Sequence, residues 1–187
     1  GQLTEAPVKA IRIQYEGAVA DLNVRPMTAA AVAGVMRAFM PEVNMVNAPV
    51  AAKDKGIAIE EVKRAADSQF DSRIFINVIA EDMERHAAGT VFQDGKPRIV
   101  EIRHIAMDAE FARHMLYVRN SDKPGFVGRF GTLLGDSGVN IATFNMGRNS
   151  PGGDAICLVA VDERVTDDLL ARIAAIPQVK RARPLEF

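Results

Sequence analysis

LYVRNSDKPGFVGRFGTLLGDSGVNIATFNMG, residues 116–147, is the stretch whose reading decides the fold. It opens as an apolar strand over 115–119, turns through a polar segment closed by Pro124-Gly125, and continues as a helix over 126–136. A Ser137-Gly138 turn leads into a second strand over 139–148. Asn120 and Asp122 fall where the first strand gives way to the helix, and Asn140 opens the second strand. A helix start presents unpaired N–H groups and the positive end of the helix dipole, so it favours a carboxylate. Asn120, Asp122 and Asn140 are suited to an amino group or a small hydroxyl beside it, which outlines a site for a small amino acid. The same three residues are also ordinary turn formers, because Asn and Asp hydrogen-bond their own backbone.

Outward from this stretch the order continues as strand (154–162), helix (166–175) and strand (178–185), with Thr166 as N-cap and Asp167-Asp168 in the first helical turn. That order predicts an antiparallel sheet with both helices on one face. The first half reads as a strand over 8–15, a helix over 29–40 capped by Thr28 and ended by Pro41, and a second helix from Asn47 to Gly56. Strands follow over 57–65, 73–80, 87–92 and 98–104, with Asp94-Gly95 as a tight-hairpin signal. The fold class expected is α+β, two small α/β sandwich domains over 1–111 and 112–187, joined by a short polar linker at 108–113.

The motifs N-x-D-K-P-G and G-V-N-I, with Met146-Gly147-Arg148, Gly152-Gly153 and the apolar run 155–162 ending in Asp162, resemble an ACT domain. This is the ferredoxin-like βαββαβ module that binds amino acids as effectors, in the form attached to D-3-phosphoglycerate dehydrogenases. The resemblance extends upstream through Tyr15-Glu16-Gly17, Arg25-Pro26, Val46-Asn47-Ala48-Pro49, Lys53-Asp54-Lys55-Gly56, Ala88-Gly89-Thr90 and Pro97–Val100. These are similar to the intervening, allosteric substrate-binding domain of the long-form enzymes. The resemblance implies a C-terminal regulatory part that binds L-serine or a similar amino acid at Asn120, Asp122, Lys123, Pro124, Gly125, Phe126, Val127 and Asn140. In the family, matching positions hold the effector between two ACT domains, which implies a homo-oligomer, a dimer or tetramer. Position 120 departs from relatives that carry His or Tyr there. The resemblance further implies an anion site, for phosphate or a phosphorylated anion, involving Arg98, Arg103 and His104. By strand parity Arg98 and His104 share a face and Arg103 takes the other. A solvated, charge-guarded edge strand is the alternative reading of those residues.

The long form places nucleotide-binding and substrate domains ahead of this region, and neither is in these 187 residues. NAD therefore belongs by implication to the catalytic domains, and no cofactor is expected in this chain. No G-x-G-x-x-G fingerprint, nucleophile–base pair or paired-carboxylate context occurs, so no catalytic residue is assigned. Two other readings fit the same residues: a stand-alone amino-acid-binding or oligomerisation module, and the regulatory piece of an iron–sulfur L-serine dehydratase.

Composition bounds the rest. A net charge of −1 gives no electrostatic footprint for nucleic acid. No apolar run approaches the ~20 residues of a membrane helix, and the abrupt Gly1-Gln2 opening reads as the edge of a longer chain. A single cysteine, Cys157, excludes an internal disulfide framework and suits a reducing cytoplasm. Its place in an apolar strand marks it as a buried structural thiol. His86, His104 and His114 lack metal-ligand spacing. Gly125, Gly128 and Gly131 recur on one helix face, which predicts close approach to a ligand, the sheet or a partner subunit.

Overall fold

The computed structural model describes residues 2–3, 6–66, 70–81 and 83–187. The chain divides into two compact units, Gly1–Pro97 and Arg98–Phe187.

In the first unit, β1 (Val8–Gly17) alternates buried Ile11, Ile13 and Tyr15 with more exposed neighbours, the period-2 pattern of a strand with one face on a core. It pairs in parallel with β2 (Ala58–Arg64) and antiparallel with β3 (Ser72–Ala80), which pairs with β4 (Glu84–Val91). A parallel neighbour needs a crossover, and α1 (Arg25–Met36) and α2 (Ala48–Asp54) supply it. Val32, Met36, Ala48 and Ala52 of these helices pack with Ile11, Ile13 and Tyr15 in one buried cluster.

The first helix corrects the sequence reading. It starts at Arg25, with Pro26 in its first turn, and ends at Met36. Proline's fixed φ suits a helix start, so the helix begins ahead of Thr28. Thr28 is consequently no cap. Its hydroxyl lies buried 2.7 Å from the Tyr15 hydroxyl and donates to Glu61, tying α1 to β1 and β2.

The second unit begins with an antiparallel hairpin of β5 (Pro97–Ile102) and β6 (Ile105–Glu110). Residues 108–110, expected in a linker, complete β6. Arg103 and His104, expected on a strand, form the hairpin turn at φ 52° and 62°. Two consecutive positive φ values match the right-handed twist of the flanking strands, as in a type I′ turn.

β7 (His114–Ser121), α3 (Phe126–Asp136), β8 (Ile141–Arg148), β9 (Asp154–Val161), α4 (Asp167–Ala174) and β10 (Val179–Glu186) then give the βαββαβ order expected. The sheet runs β10-β7-β9-β8, antiparallel throughout. One face, with Leu116, Val118, Cys157 and Val159, packs under Phe126, Phe130, Leu134, Leu169 and Ile173 of the two helices. Thr166 caps α4 as predicted, its hydroxyl accepting from the Leu169 N–H at 3.3 Å. β6 packs on β8 and β9 where Gly147 leaves room: a Cβ there would stand 2.2 Å from the Ala106 carbonyl oxygen. Gly128 and Gly131 do not approach the sheet, since a Cβ at either would meet nothing within 4 Å. No helix among the described residues is long and apolar enough to cross a membrane.

Candidate functional site

The turn between β7 and α3 builds a cleft of about 650 Å³, inside the roughly 300–1,000 Å³ range of small-molecule sites. It is lined on one side by Lys123, Pro124, Gly125, Phe126, Val127 and Gly128 of the turn and α3, and on the other by Met146, Arg148 and Gly152, with Asp122 hydrogen-bonded to the last two of these. Gly125 supplies the sharp entry to α3 with φ 85°, a left-handed conformation that suits glycine. No side chain caps this helix start; the Phe126 N–H makes a long 3.5 Å bond to the Lys123 carbonyl, and the N–H groups after it in the first turn keep the capacity to bind an acceptor.

Asp122 is held by three contacts. Its backbone N–H donates to the Gly153 carbonyl at 2.8 Å, and its Oδ2 accepts from Arg148 Nη1 at 2.7 Å and from the Gly152 N–H at 3.1 Å. The side chain is largely buried, at 17 % exposure, whereas Arg148 is 55 % exposed. The Arg148 hydrogen bond first, and the Gly152 N–H second, hold the Asp122 carboxyl below the usual carboxylate range. It is an anion near neutral pH.

The structure gathers Asp122, Lys123, Pro124, Gly125, Phe126 and Val127 on this cleft. Asn120 lies outside it. By strand alternation Asn120 shares the helix-covered face with Leu116 and Val118. It is fully buried there, its Nδ2 donating to the Ser121 carbonyl at 3.1 Å and its Oδ1 3.7 Å from Cys157 Sγ. Burial pushes the Cys157 thiol up to about 12, which keeps it protonated and inert. Asn140 precedes the opposite end of β8, where its Nδ2 donates to Asp162 at 2.6 Å. Eight residues of extended chain separate it from Arg148, on the order of 25 Å, so one copy of the chain does not bring Asn140 to Asp122.

The three basic residues considered for an anion are not gathered either. Arg98, on β5, pairs with Asp108 at 3.2 Å and Glu110 at 3.1 Å across the hairpin. Arg103 and His104 sit at the turn, at the other end of that hairpin, with His104 Nδ1 3.3 Å from Glu101. A second cleft, in the first unit, is lined by Phe70, Phe92, Asp71 and Asp94 and by no basic side chain among the described residues.

Arg148 is the site residue that sequence reasoning passed over. Its signal was its place at the end of β8, which reaches Asp122 only once the β7-β9-β8 order is known.

The family model described as the D-3-phosphoglycerate dehydrogenase intervening domain matches residues 1–103, and the ACT domain model matches residues 114–178. The chain is similar to the D-3-phosphoglycerate dehydrogenase of Bacillus subtilis (strain 168), with 32 % identity over 187 residues, covering 100 % of this chain and 36 % of that protein. It is 30 % identical to the Synechocystis enzyme of the same name over 184 residues, covering 97 % of this chain and 33 % of the relative. It is 26 % identical to the chloroplastic D-3-phosphoglycerate dehydrogenase 3 of Arabidopsis thaliana over 189 residues, covering 92 % and 32 % respectively. The chain thus spans about a third of the length of the curated relatives it matches.

Proposed function

The chain belongs to the D-3-phosphoglycerate dehydrogenase intervening-domain family, with an ACT domain after it, and from that premise we propose that it is the regulatory part of such an enzyme and binds L-serine as its effector. The parent would oxidise 3-phosphoglycerate with NAD in catalytic domains ahead of this region, in the cytoplasm. The observation that carries the reading is the β7–α3 cleft. An ionised Asp122 faces it beside an uncapped helix start, so an ammonium and a carboxylate find complementary groups within one small site.

Regulation needs the site to sense more than one chain. β8 is an edge strand whose one bulge lies at its Ile141–Thr143 end and whose one charge, Arg148, lies at the other, so its middle, Phe144–Gly147, offers an edge free of charge and proline for pairing. Val127 and Met146, beside the cleft, are 51 % and 37 % exposed. Two copies paired antiparallel along β8 would set the start of one strand opposite the end of the other. That register carries Asn140 of one copy towards the Asp122 cleft of its partner. An effector bound there prefers the paired arrangement, and a ligand that prefers one arrangement shifts the population towards it.

Sedimentation velocity on the 187-residue chain tests the coupling. L-serine is expected to shift mass towards the dimer or a higher species, and Asn140→Ala to blunt that shift. A chain that stays monomeric at tens of micromolar with saturating L-serine contradicts the seam.

A further inference from the structure

Asp122 and Arg148 are each only half used. Both hydrogen bonds to the Asp122 carboxylate land on Oδ2, and Oδ1 has no partner among the described residues. Among the described residues Arg148 makes one polar contact, through Nη1, and is more than half exposed on the cleft wall. A guanidinium carries five N–H donors in a rigid planar fork, so an edge of Arg148 stays available for a second partner. The two opposite charges meet at one corner of the cleft, each with a free side.

Resting on the amino-acid reading above, we propose that Arg148 is a specificity-determining residue that receives one oxygen of the ligand's α-carboxylate, the other meeting the start of α3, while Oδ1 of Asp122 receives its α-ammonium. The protein pair and the ligand zwitterion each sum to zero charge, so the four groups form a closed, alternating square in which every carboxylate oxygen faces an N–H. An amine lacking the carboxylate leaves Arg148 unanswered; an acid lacking the amine leaves Oδ1 unanswered. A ligand that answers only one of the two charges forgoes the charge-assisted contact to the other, so the cleft favours the zwitterion. Gly125, Gly128 and Gly152 line the space beside the pair, which keeps the backbone close and suits a short side chain.

Calorimetry on the full chain with L-serine and L-serinamide tests this. The two ligands share the amine and the hydroxymethyl group, but the amide carries no negative charge. The unsubstituted chain is expected to favour L-serine by roughly ten- to a hundredfold, the ratio typical of a hydrogen bond to a charged group. Arg148→Gln is expected to bring that ratio close to one, and Arg172→Gln, which removes a cation on α4 that does not line the cleft, to leave it unchanged. Thermal unfolding of Arg148→Gln checks that this exposed position leaves the fold intact. A serine preference that survives Arg148→Gln, or collapses equally in Arg172→Gln, overturns the role of Arg148 and leaves the amino-acid reading standing. Absence of heat from L-serine and from other small neutral amino acids in the unsubstituted chain overturns that reading, and this one with it.

Discussion

Arg73→Met is expected to destabilise the first unit by about 3–5 kcal/mol, the cost of leaving a buried charge without its partner. Glu16 and Arg73 stand opposite each other in the β1–β3 register. The side chains are 5 % and 15 % exposed, and Arg73 Nη2 donates to both Glu16 carboxylate oxygens, at 3.1 and 3.3 Å. The guanidinium carbon also lies 4.3 Å from the Phe75 ring centroid, a cation–π contact. Methionine keeps apolar length against Phe75 and removes the charge, so the loss reports mainly on Glu16. The double substitution Glu16→Gln with Arg73→Met is then expected to recover most of it, because a pair removed together strands no charge. Urea unfolding of the three variants measures both steps. A single-variant loss below about 1 kcal/mol, the size of a surface pair, contradicts the burial argument.

Gly17→Ala is the second large effect expected, and it arises from backbone alone. Gly17 sits at φ 80°, ψ −150°, a conformation open in practice to glycine only. A Cβ there would stand 2.2 Å from the Asp71 carbonyl oxygen, the same oxygen that accepts the Ala18 N–H at 2.9 Å. Two costs therefore add: about 1–3 kcal/mol of backbone strain and about 1–3 kcal/mol of overpacking against a group that cannot turn aside. Gly56 separates them. It also has positive φ, 69°, but a Cβ at that position meets nothing within 4 Å. Gly56→Ala should lose only the strain, about 1–2 kcal/mol. Equal losses at the two positions, measured by the same unfolding experiment, contradict the close-contact argument at Gly17.

The legible and illegible parts of this chain divide along physical lines. The six elements from β7 to β10 were readable because each has a clean period and local punctuation: Pro124-Gly125 before α3, Ser137-Gly138 after it, Thr166 before α4. The Arg103-His104 turn was not readable, since I′ turns are signalled by Asn-Gly or Asp-Gly and two bulky basic residues give no such sign. Thr28 misled because a cap and a buried hydroxyl look alike until Tyr15 and Glu61 are known to lie against it. At the site, the local groups were legible: Asp122 and the start of α3 lie within a few residues of each other. Arg148 was not, because its meeting with Asp122 depends on strand order and on a turn through Gly152. Asn120 shows the converse. Its spacing from Asp122 suggested a shared pocket, and strand alternation turned it into the core.

The central claim is that this cleft binds a small amino acid through Asp122. Titration of L-serine into the chain, and into Asp122→Asn, measured by calorimetry near neutral pH, tests it most directly. The account predicts saturable binding to the unsubstituted chain and an affinity at least about tenfold weaker in Asp122→Asn, where a charge-assisted contact to the ammonium becomes a neutral one. Affinity that is the same in both chains, or no binding by either, contradicts it.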